Sequence, residues 1–353
     1  MGGAGFVGTE ISHLLATQGV KDVVSVSRRS AAAQAQKVQY EQFVDFVSLD
    51  ASKDDLSSVF KGASAVISCV GVAPGQKNQL DGNGAVNERI ADAAKKAKVG
   101  RLVYISVASA ISEGTGKLLF ADYVKGKAQA EAAVQRNYGG GSSLIIRPGV
   151  ISGGGPGLPP PPGVPPVPVD AVARAAVAGA LGKKSGILDG RDEIVRTIFG
   201  DVGAIRRDFS CAIERKILLH GRLYVTERFI CFYSNLFGFE KKIKIPYSHI
   251  TCITKEYTAV FIPNAIAVIT ARKEYVFRSF WDRDDCFDLL KSFHESFRGL
   301  AASAGDGLES ESADRGEKPD GDMEDLGGAM QDTGPEDPAS PADAGEVAFD
   351  RVE

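Results

Sequence analysis

Two textures of hydrophobic patterning divide the chain. Up to about residue 190, short β-branched runs alternate with Ala-rich stretches whose apolar positions recur at helical spacing. Ile11, Leu14 and Leu15 predict an opening helix. Asp22–Ser27, Ala63–Gly71, Arg101–Val107 and Ser143–Gly149 predict strands, with helices over Asn87–Lys98 and Tyr123–Val134 between them. This alternation specifies a doubly wound parallel α/β sheet. From Thr197 the helices give way to short, aromatic-rich strands: Ile213–Val225, Phe229–Ser234, Lys242–Ile245, His249–Lys255, Ala265–Thr270 and Tyr275–Phe280. Turns are expected at Gly221, Asn235, Pro246, Pro263–Asn264 and Arg272–Lys273, which predicts an antiparallel barrel or sandwich. Asp282 caps a last helix with Cys286, Phe287, Leu289, Leu290, Phe293 and Phe297 on one side, the pattern of a helical plug on a barrel. The expected domains are 1–195, 197–298 and a tail over 301–353.

Charge sharpens this division. Residues 301–353 hold 16 acidic and 3 basic residues with Phe349 as the lone aromatic, the composition of a disordered acidic tail. The preceding 300 residues hold 38 basic and 29 acidic residues. That mild positive balance suits a phosphorylated cofactor or an acidic lipid surface and is too weak to argue nucleic acid. No run approaches the ~18 apolar residues of a transmembrane segment, so membrane contact is expected to be peripheral. Five scattered cysteines and four histidines without ligand spacing predict packing thiols in a reducing, cytoplasmic setting and no metal site.

Chemistry concentrates at the start of the chain. Gly2, Gly5 and Gly8 form G-x-x-G-x-x-G leading directly into a helix, where backbone N–H groups and the helix dipole can cradle a pyrophosphate. The next strand ends in Arg28 and Arg29, a basic pair that favours the 2′-phosphate of NADP over NAD. The strand that should precede the glycine turn is missing, which leaves the sheet incomplete at the N-terminus. The true N-terminus is expected upstream, so organelle targeting stays undetermined. The motifs GGAGFVG, VSVSRR, RLVYISV, YVKGKAQAE and IIRPGV together resemble an atypical, extended-type short-chain dehydrogenase/reductase over residues 1 to about 195. The resemblance implies a Rossmann-like NAD(P)-binding domain with Tyr123 as acid/base, Lys127 lowering the Tyr pKa and holding the nicotinamide ribose, and Ser106 orienting a carbonyl. A Gly- and Pro-rich stretch over 152–168 stands where relatives carry a substrate subdomain, so the substrate pocket is expected to be thin.

The later residues Phe209-Ser210-Cys211-Ala212, Glu214 to Tyr224, Phe229 to Ser234, Ile262 to Ile266 and Phe277 to Phe280 resemble a GRAM domain, a pleckstrin-homology-like module of the Aster type. The resemblance implies binding of anionic phospholipid headgroups, phosphatidylserine or a phosphoinositide. Sterol transport is not implied, because no sterol-carrying domain follows. Period-two alternation places Ile243 and Ile245 inward and Lys242 and Lys244 outward. With Lys241, Arg215, Lys216, Arg272 and Lys273 they are the expected cationic lipid-binding rim. Three functions fit: a peripheral membrane protein that tethers a nucleotide-binding domain, an NADP-dependent oxidoreductase of a hydrophobic quinone- or lipid-like substrate, or two unrelated proteins merged in one sequence.

Overall fold

A computed structural model describes residues 1–35, 41–114, 116–153, 164–214, 218–236, 239–258 and 261–305. Arg215, Lys216 and nearly all of the expected acidic tail lie outside these residues. In the first domain, helix α1 (Phe6–Thr17) follows the glycine turn, and β1 (Val23–Ser27) pairs in parallel with β2 (Val44–Ser48). Then come β3 (Ala65–Ser68), α2 (Ala85–Lys96), β4 (Arg101–Ile105), α3 (Ala121–Tyr138), β5 (Ser143–Arg147), α4 (Val169–Ala180), β6 (Gly186–Asp189) and α5 (Gly190–Phe199). Strands β3, β4, β5 and β6 form a parallel sheet of 4 in that order, separate from the β1–β2 pair.

Alternation along the strands decides which helices pack where. Leu102, Tyr104 and Ile145 face one side and join Ile90, Ala91 and Ala94 of α2 and Ala130, Ala133 and Val134 of α3. Val103, Ile105, Leu144 and Ile146 face the other side and meet α1, α4 and α5. Both faces are therefore covered by helices, as a parallel sheet requires. Arg147 bridges Glu131 of α3 at 2.6 Å and Asp189 of β6 at 3.2 Å, which fixes α3 on the sheet.

The second domain is a sheet of 7 antiparallel strands: β7 (Ile205–Glu214), β8 (Leu218–Thr226), β9 (Phe229–Leu236), β10 (Phe239–Pro246), β11 (Ile250–Thr258), β12 (Ile262–Thr270) and β13 (Glu274–Arg278). Their order is β10-β9-β8-β7-β13-β12-β11. The helix α6 (Arg283–Gly305) plugs it through Cys286 and Leu290, which are buried with Phe232, Ile253, Val268 and Phe277. The helix continues through residues 301–305, where the tail was expected to begin.

Several local expectations are corrected. Asn235 lies within β9 and Pro263–Asn264 within β12, where turns were expected. Gly221 lies inside β8 rather than at a turn, because a Cβ there would sit 2.1 Å from the carbonyl oxygen of Tyr233 on the neighbouring strand. Cys252 is exposed, whereas Cys211, Cys231 and Cys286 are buried as packing thiols.

The outward side of β8 and β9 is not solvent-facing. Tyr224, Cys231 and Tyr233 are buried in the same hydrophobic cluster as Val172, Ala176, Ile194, Val195 and Phe199 of α4 and α5. Phe199 meets Tyr224 and Tyr233 edge-on, with centroids 5.7 and 6.4 Å away. Arg191 of α5 lies 3.8 Å from Asp208 of β7 and also donates to the Ile205 carbonyl. The two domains thus share one apolar core with a charged rim.

Candidate functional site

The glycine turn is built for close backbone approach. The Gly2 and Gly3 amides donate to the Val26 carbonyl at 2.8 and 3.1 Å, which lays the turn beside the end of β1. A Cβ on Gly8 would stand 2.3 Å from the Gly2 oxygen, and one on Gly3 would stand 2.0 Å from Ser25 Oγ. Gly5, in contrast, is exposed and forms the N-cap of α1 with extended backbone and no side-chain cap, so the first helical N–H groups stay open to an anion. Arg28 and Arg29 are exposed just past β1, on the same sheet margin. Gln34 was not singled out from the sequence; it is buried and donates to the carbonyls of Arg29 and Val47, both at 3.0 Å, bracing the segment that carries the arginines.

Further along that margin, Lys127 and Ser106 come together. Lys127 is buried and its Nζ donates at 2.8 Å to the carbonyl of Ile105, the residue before Ser106. Ser106 Oγ is buried without a hydrogen-bond partner among the described residues, a polar atom available to a bound molecule. Tyr123 lies one turn before Lys127, with the ammonium 5.7 Å from its ring centroid. Burial pushes the Tyr123 hydroxyl up to about 12 and the Lys127 ammonium down to about 8. This reverses the expected lowering of the Tyr123 pKa, since desolvation outweighs a cation engaged with a carbonyl. Asn83 and Asn87, a buried pair one turn apart, hold the loop after β3: Asn83 Nδ2 donates to Val72 at 2.9 Å and Asn87 Nδ2 to Val70 at 3.0 Å. Two Asn four residues apart, one just before the Ala-rich helix α2 and one in its first turn, were the available sequence signal. The glycine cradle, the open helix start and the orphaned serine fit a dinucleotide along the carboxyl ends of the strands.

The expected cationic rim does not form among the described residues. Ile243 and Ile245 are in the barrel core, and Lys242 and Lys244 do point outward together. Yet Lys244 Nζ lies 3.3 Å from the Phe199 carbonyl oxygen, 3.5 Å from that of Asp201 and 4.2 Å from the Phe229 ring centroid. Lys242 lies 6.0 Å from the Phe199 ring and lines an interdomain cavity of about 140 Å³ with Arg174 and Gln18. Both face the first domain because that domain covers this side of the barrel. Lys241 is half-buried on the same edge strand. Arg272 and Lys273 are exposed at the β12–β13 turn, away from the other three.

A different surface stands out. Tyr257, Phe261, Ile262 and Trp281 are 59%, 81%, 51% and 93% exposed. The first three flank the β11–β12 turn. The Phe280 amide donates to the Asn264 carbonyl at 3.1 Å, which places Trp281 beside the same turn. Ser279, at φ 61°, supplies the left-handed kink that buries Phe280 and turns Trp281 outward. Arg283 stands 6.0 Å over the Tyr257 ring, and Lys255 lies next to it, each 2.8 Å from Asp284. The nine residues of β12 separate this tip from Arg272 and Lys273 by roughly 27 Å. Large apolar residues at a turn, where polar ones are usual, were the missed signal.

Together, the fold and the glycine cradle define an NAD(P)-binding Rossmann-like domain followed by a GRAM domain. A family model described as NAD(P)H-binding matches residues 2–182, just over half of the chain, and a GRAM-domain model matches residues 194–297. The chain belongs to the NAD(P)H-binding family. Over 103 residues it is 47% identical to Protein Aster-A of Mus musculus, covering 28% of this chain and 14% of that protein. Over 105 residues it is 39% identical to Protein VASCULAR ASSOCIATED DEATH 1, chloroplastic, of Arabidopsis thaliana, covering 30% and 18%. The match thus spans less than a fifth of either relative. A solved structure of a putative NAD-dependent epimerase/dehydratase from Bacillus halodurans is similar over 56% of this chain and 96% of its own, with 17% identity and a TM-score of 0.45. Among the described residues no helix is long and apolar enough to cross a membrane.

Proposed function

We propose that this chain is a peripheral membrane protein, docked by its GRAM domain on the cytoplasmic face of a membrane and holding the NAD(P)-binding domain there. The observation that carries this proposal is the exposed tip of Tyr257, Phe261, Ile262 and Trp281. Such aromatic side chains favour the interface between headgroups and acyl chains, and the tip's own strands keep them out of the barrel core. Anionic headgroups, phosphatidylserine or a phosphoinositide, would be met by Lys255 and Arg283 beside the tip. Because Trp281 is the single tryptophan, its emission reports on the tip alone. The full chain mixed with vesicles of phosphatidylcholine plus phosphatidylserine or phosphoinositide should show a blue shift and co-sedimentation, both weakened by salt. Phe261→Ser with Trp281→Ala should abolish capture, whereas Arg272→Glu with Lys273→Glu should spare it. Undiminished capture of the tip variant, or equal capture on neutral vesicles, overturns the tip or the headgroup preference respectively.

The grouping of Ser106, Tyr123 and Lys127 favours a second activity, NADP-dependent reduction of a carbonyl on a hydrophobic quinone- or lipid-like substrate. A bound nicotinamide supplies the hydride. Tyr123, protonated at neutral pH, donates its hydroxyl proton to the alkoxide oxygen, Ser106 Oγ hydrogen-bonds that oxygen, and Lys127 fixes the ribose. A Tyr123→Phe variant that binds NADPH but fails to oxidise it with a carbonyl substrate supports this assignment; full turnover refutes it.

A further inference from the structure

Three cations converge on the cavity between the domains, and no acid answers them from its walls. This cavity of about 140 Å³ is lined by Arg174, Lys183 and Lys242, with Gln18 and Thr197 among its other residues and no carboxylate among the described ones. Arg174 on α4 and Lys242 on β10 are half-buried and belong to opposite domains, while Lys183 is exposed. Lys183 and Lys242 have no salt-bridge partner among the described residues. Arg174 is shared: its guanidinium stacks on Tyr233 at 3.9 Å and feels Glu10 and Asp170. Stacking uses the face of a guanidinium, whereas its N–H donors lie in the plane.

Helices α1, α4 and α5 all end near this cavity, and helix C-termini attract cations. Backbone amides already meet much of that demand. The Gln18 amide donates to the Leu14 carbonyl at 3.1 Å, Leu181 to Val177 at 2.9 Å, Lys183 to Ala178 at 2.8 Å and Gly200 to Arg196 at 2.9 Å. The Phe199 carbonyl accepts from Lys244, a different lysine. Helix capping therefore does not account for Lys183 and Lys242. Like charges gathered in a partly desolvated space repel, and an anion among them would relieve that cost. The volume holds a phosphate group with a few waters and falls well short of the ~300 Å³ of an ordinary small-molecule pocket. It is also remote from the glycine cradle. The cradle opens α1 and Gln18 follows its last residue, so 12 residues, or roughly 18 Å, separate the two.

We propose that this cavity is a second anion site, which takes a phosphate dianion between Arg174 and Lys183 of the first domain and Lys242 of the second. Gln18 and Thr197 supply further polar contacts. Because the two half-buried cations come from different domains, the bound phosphate clamps one domain on the other.

The test titrates the full chain with inorganic phosphate at constant ionic strength, in saturating NADPH so that the glycine cradle is already filled. Binding is read by calorimetry and by the melting temperature. Phosphate should bind and raise the melting temperature, and chloride at the same ionic strength should do neither. Lys183→Gln with Lys242→Gln should weaken phosphate binding by about tenfold or more, whereas Arg272→Gln with Lys273→Gln, an equal loss of charge, should leave it unchanged. No binding by the unaltered chain, or equal binding by the two paired variants, overturns the site. Capture on phosphoinositide vesicles distinguishes the two sources of phosphate. Capture unchanged by the Lys183 and Lys242 substitutions supports a soluble phosphate, and capture lowered by them supports a lipid headgroup. The Phe261→Ser with Trp281→Ala variant should still bind phosphate, so this site and the docking tip fail separately.

Discussion

The guanidinium of Arg174, on α4 of the NAD(P)-binding domain, lies 3.9 Å from the ring centroid of Tyr233, on β9 of the GRAM domain. Tyr233 is fully buried, so this stacking is desolvated and couples the two domains directly. Tyr233→Ala should lower stability by about 3–5 kcal/mol, and a double-mutant cycle with Arg174→Ala should give a coupling of about 0.5–2 kcal/mol. Denaturant unfolding followed by Trp281 emission and by far-ultraviolet circular dichroism should coincide in one transition. Two separate transitions would show that the domains unfold independently.

The glycine turn separates backbone need from cofactor need. Gly8→Ala places a methyl 2.3 Å from a backbone oxygen that cannot move aside, so NADPH affinity should fall by about tenfold or more and stability with it. On Gly5 a Cβ would meet the Gly2 oxygen at 3.2 Å. Gly5→Ala should therefore fold nearly as well while losing NADPH affinity, because a side chain at this exposed N-cap crowds the open helix start. Titration by NADPH fluorescence together with thermal melts distinguishes the two effects.

Lys127 predicts a pH dependence of opposite sign to the usual salt-bridged carboxylate. Its folded pKa of about 8 lies below the ordinary 10.5, so the native state gives up the proton first. The burial penalty is fully present below pH 8 and fades as pH rises toward 10.5. Between pH 8 and 9 stability measured by urea unfolding should gain about 1 kcal/mol relative to the Lys127→Met variant over the same interval. The buried thiols of Cys69, Cys211, Cys231 and Cys286, all pushed up by burial, oppose the trend from about pH 8.5 upward in both proteins, so the difference between them isolates Lys127.

Helix α2 ends with Lys98 in the left-handed region at φ 61°, while the Lys98 amide donates to Lys95 and the Val99 amide to Ala94, both at 3.0 Å. That is the bonding of a Schellman cap, whose left-handed position favours glycine. Lys98 is exposed, so Lys98→Gly should stabilise the protein by about 1 kcal/mol without touching the cofactor site. An unchanged melting temperature would show that unfolded-state entropy offsets the relief.

The parallel sheet was legible because Leu102 to Ile105 and Leu144 to Ile146 are apolar at every position, as strands covered on both sides must be. Strand β2 was not, because Val44-Asp45-Phe46 is short and mixed. The orientation of Lys242 and Lys244 followed correctly from period two, but which neighbour covers an outward face is a tertiary fact that local alternation does not carry. One clue existed: Phe229-Ile230-Cys231-Phe232-Tyr233 is apolar at both parities, which an antiparallel strand with a wet outer face would not be. Spacing alone put Tyr123 and Lys127 on one helical face, four residues apart, whereas Ser106 entered only through the family resemblance. The raised Tyr123 pKa was not, since it depends on how much protein surrounds the ring.

Since β8 and β9 are sandwiched, residues 197–298 excised on their own would uncover Tyr224, Cys231 and Tyr233 as a greasy plate. Such a fragment should clump or cling to vesicles nonspecifically, imitating lipid recognition. A truncated barrel is therefore a poor surrogate for the intact polypeptide in any assay of adhesion.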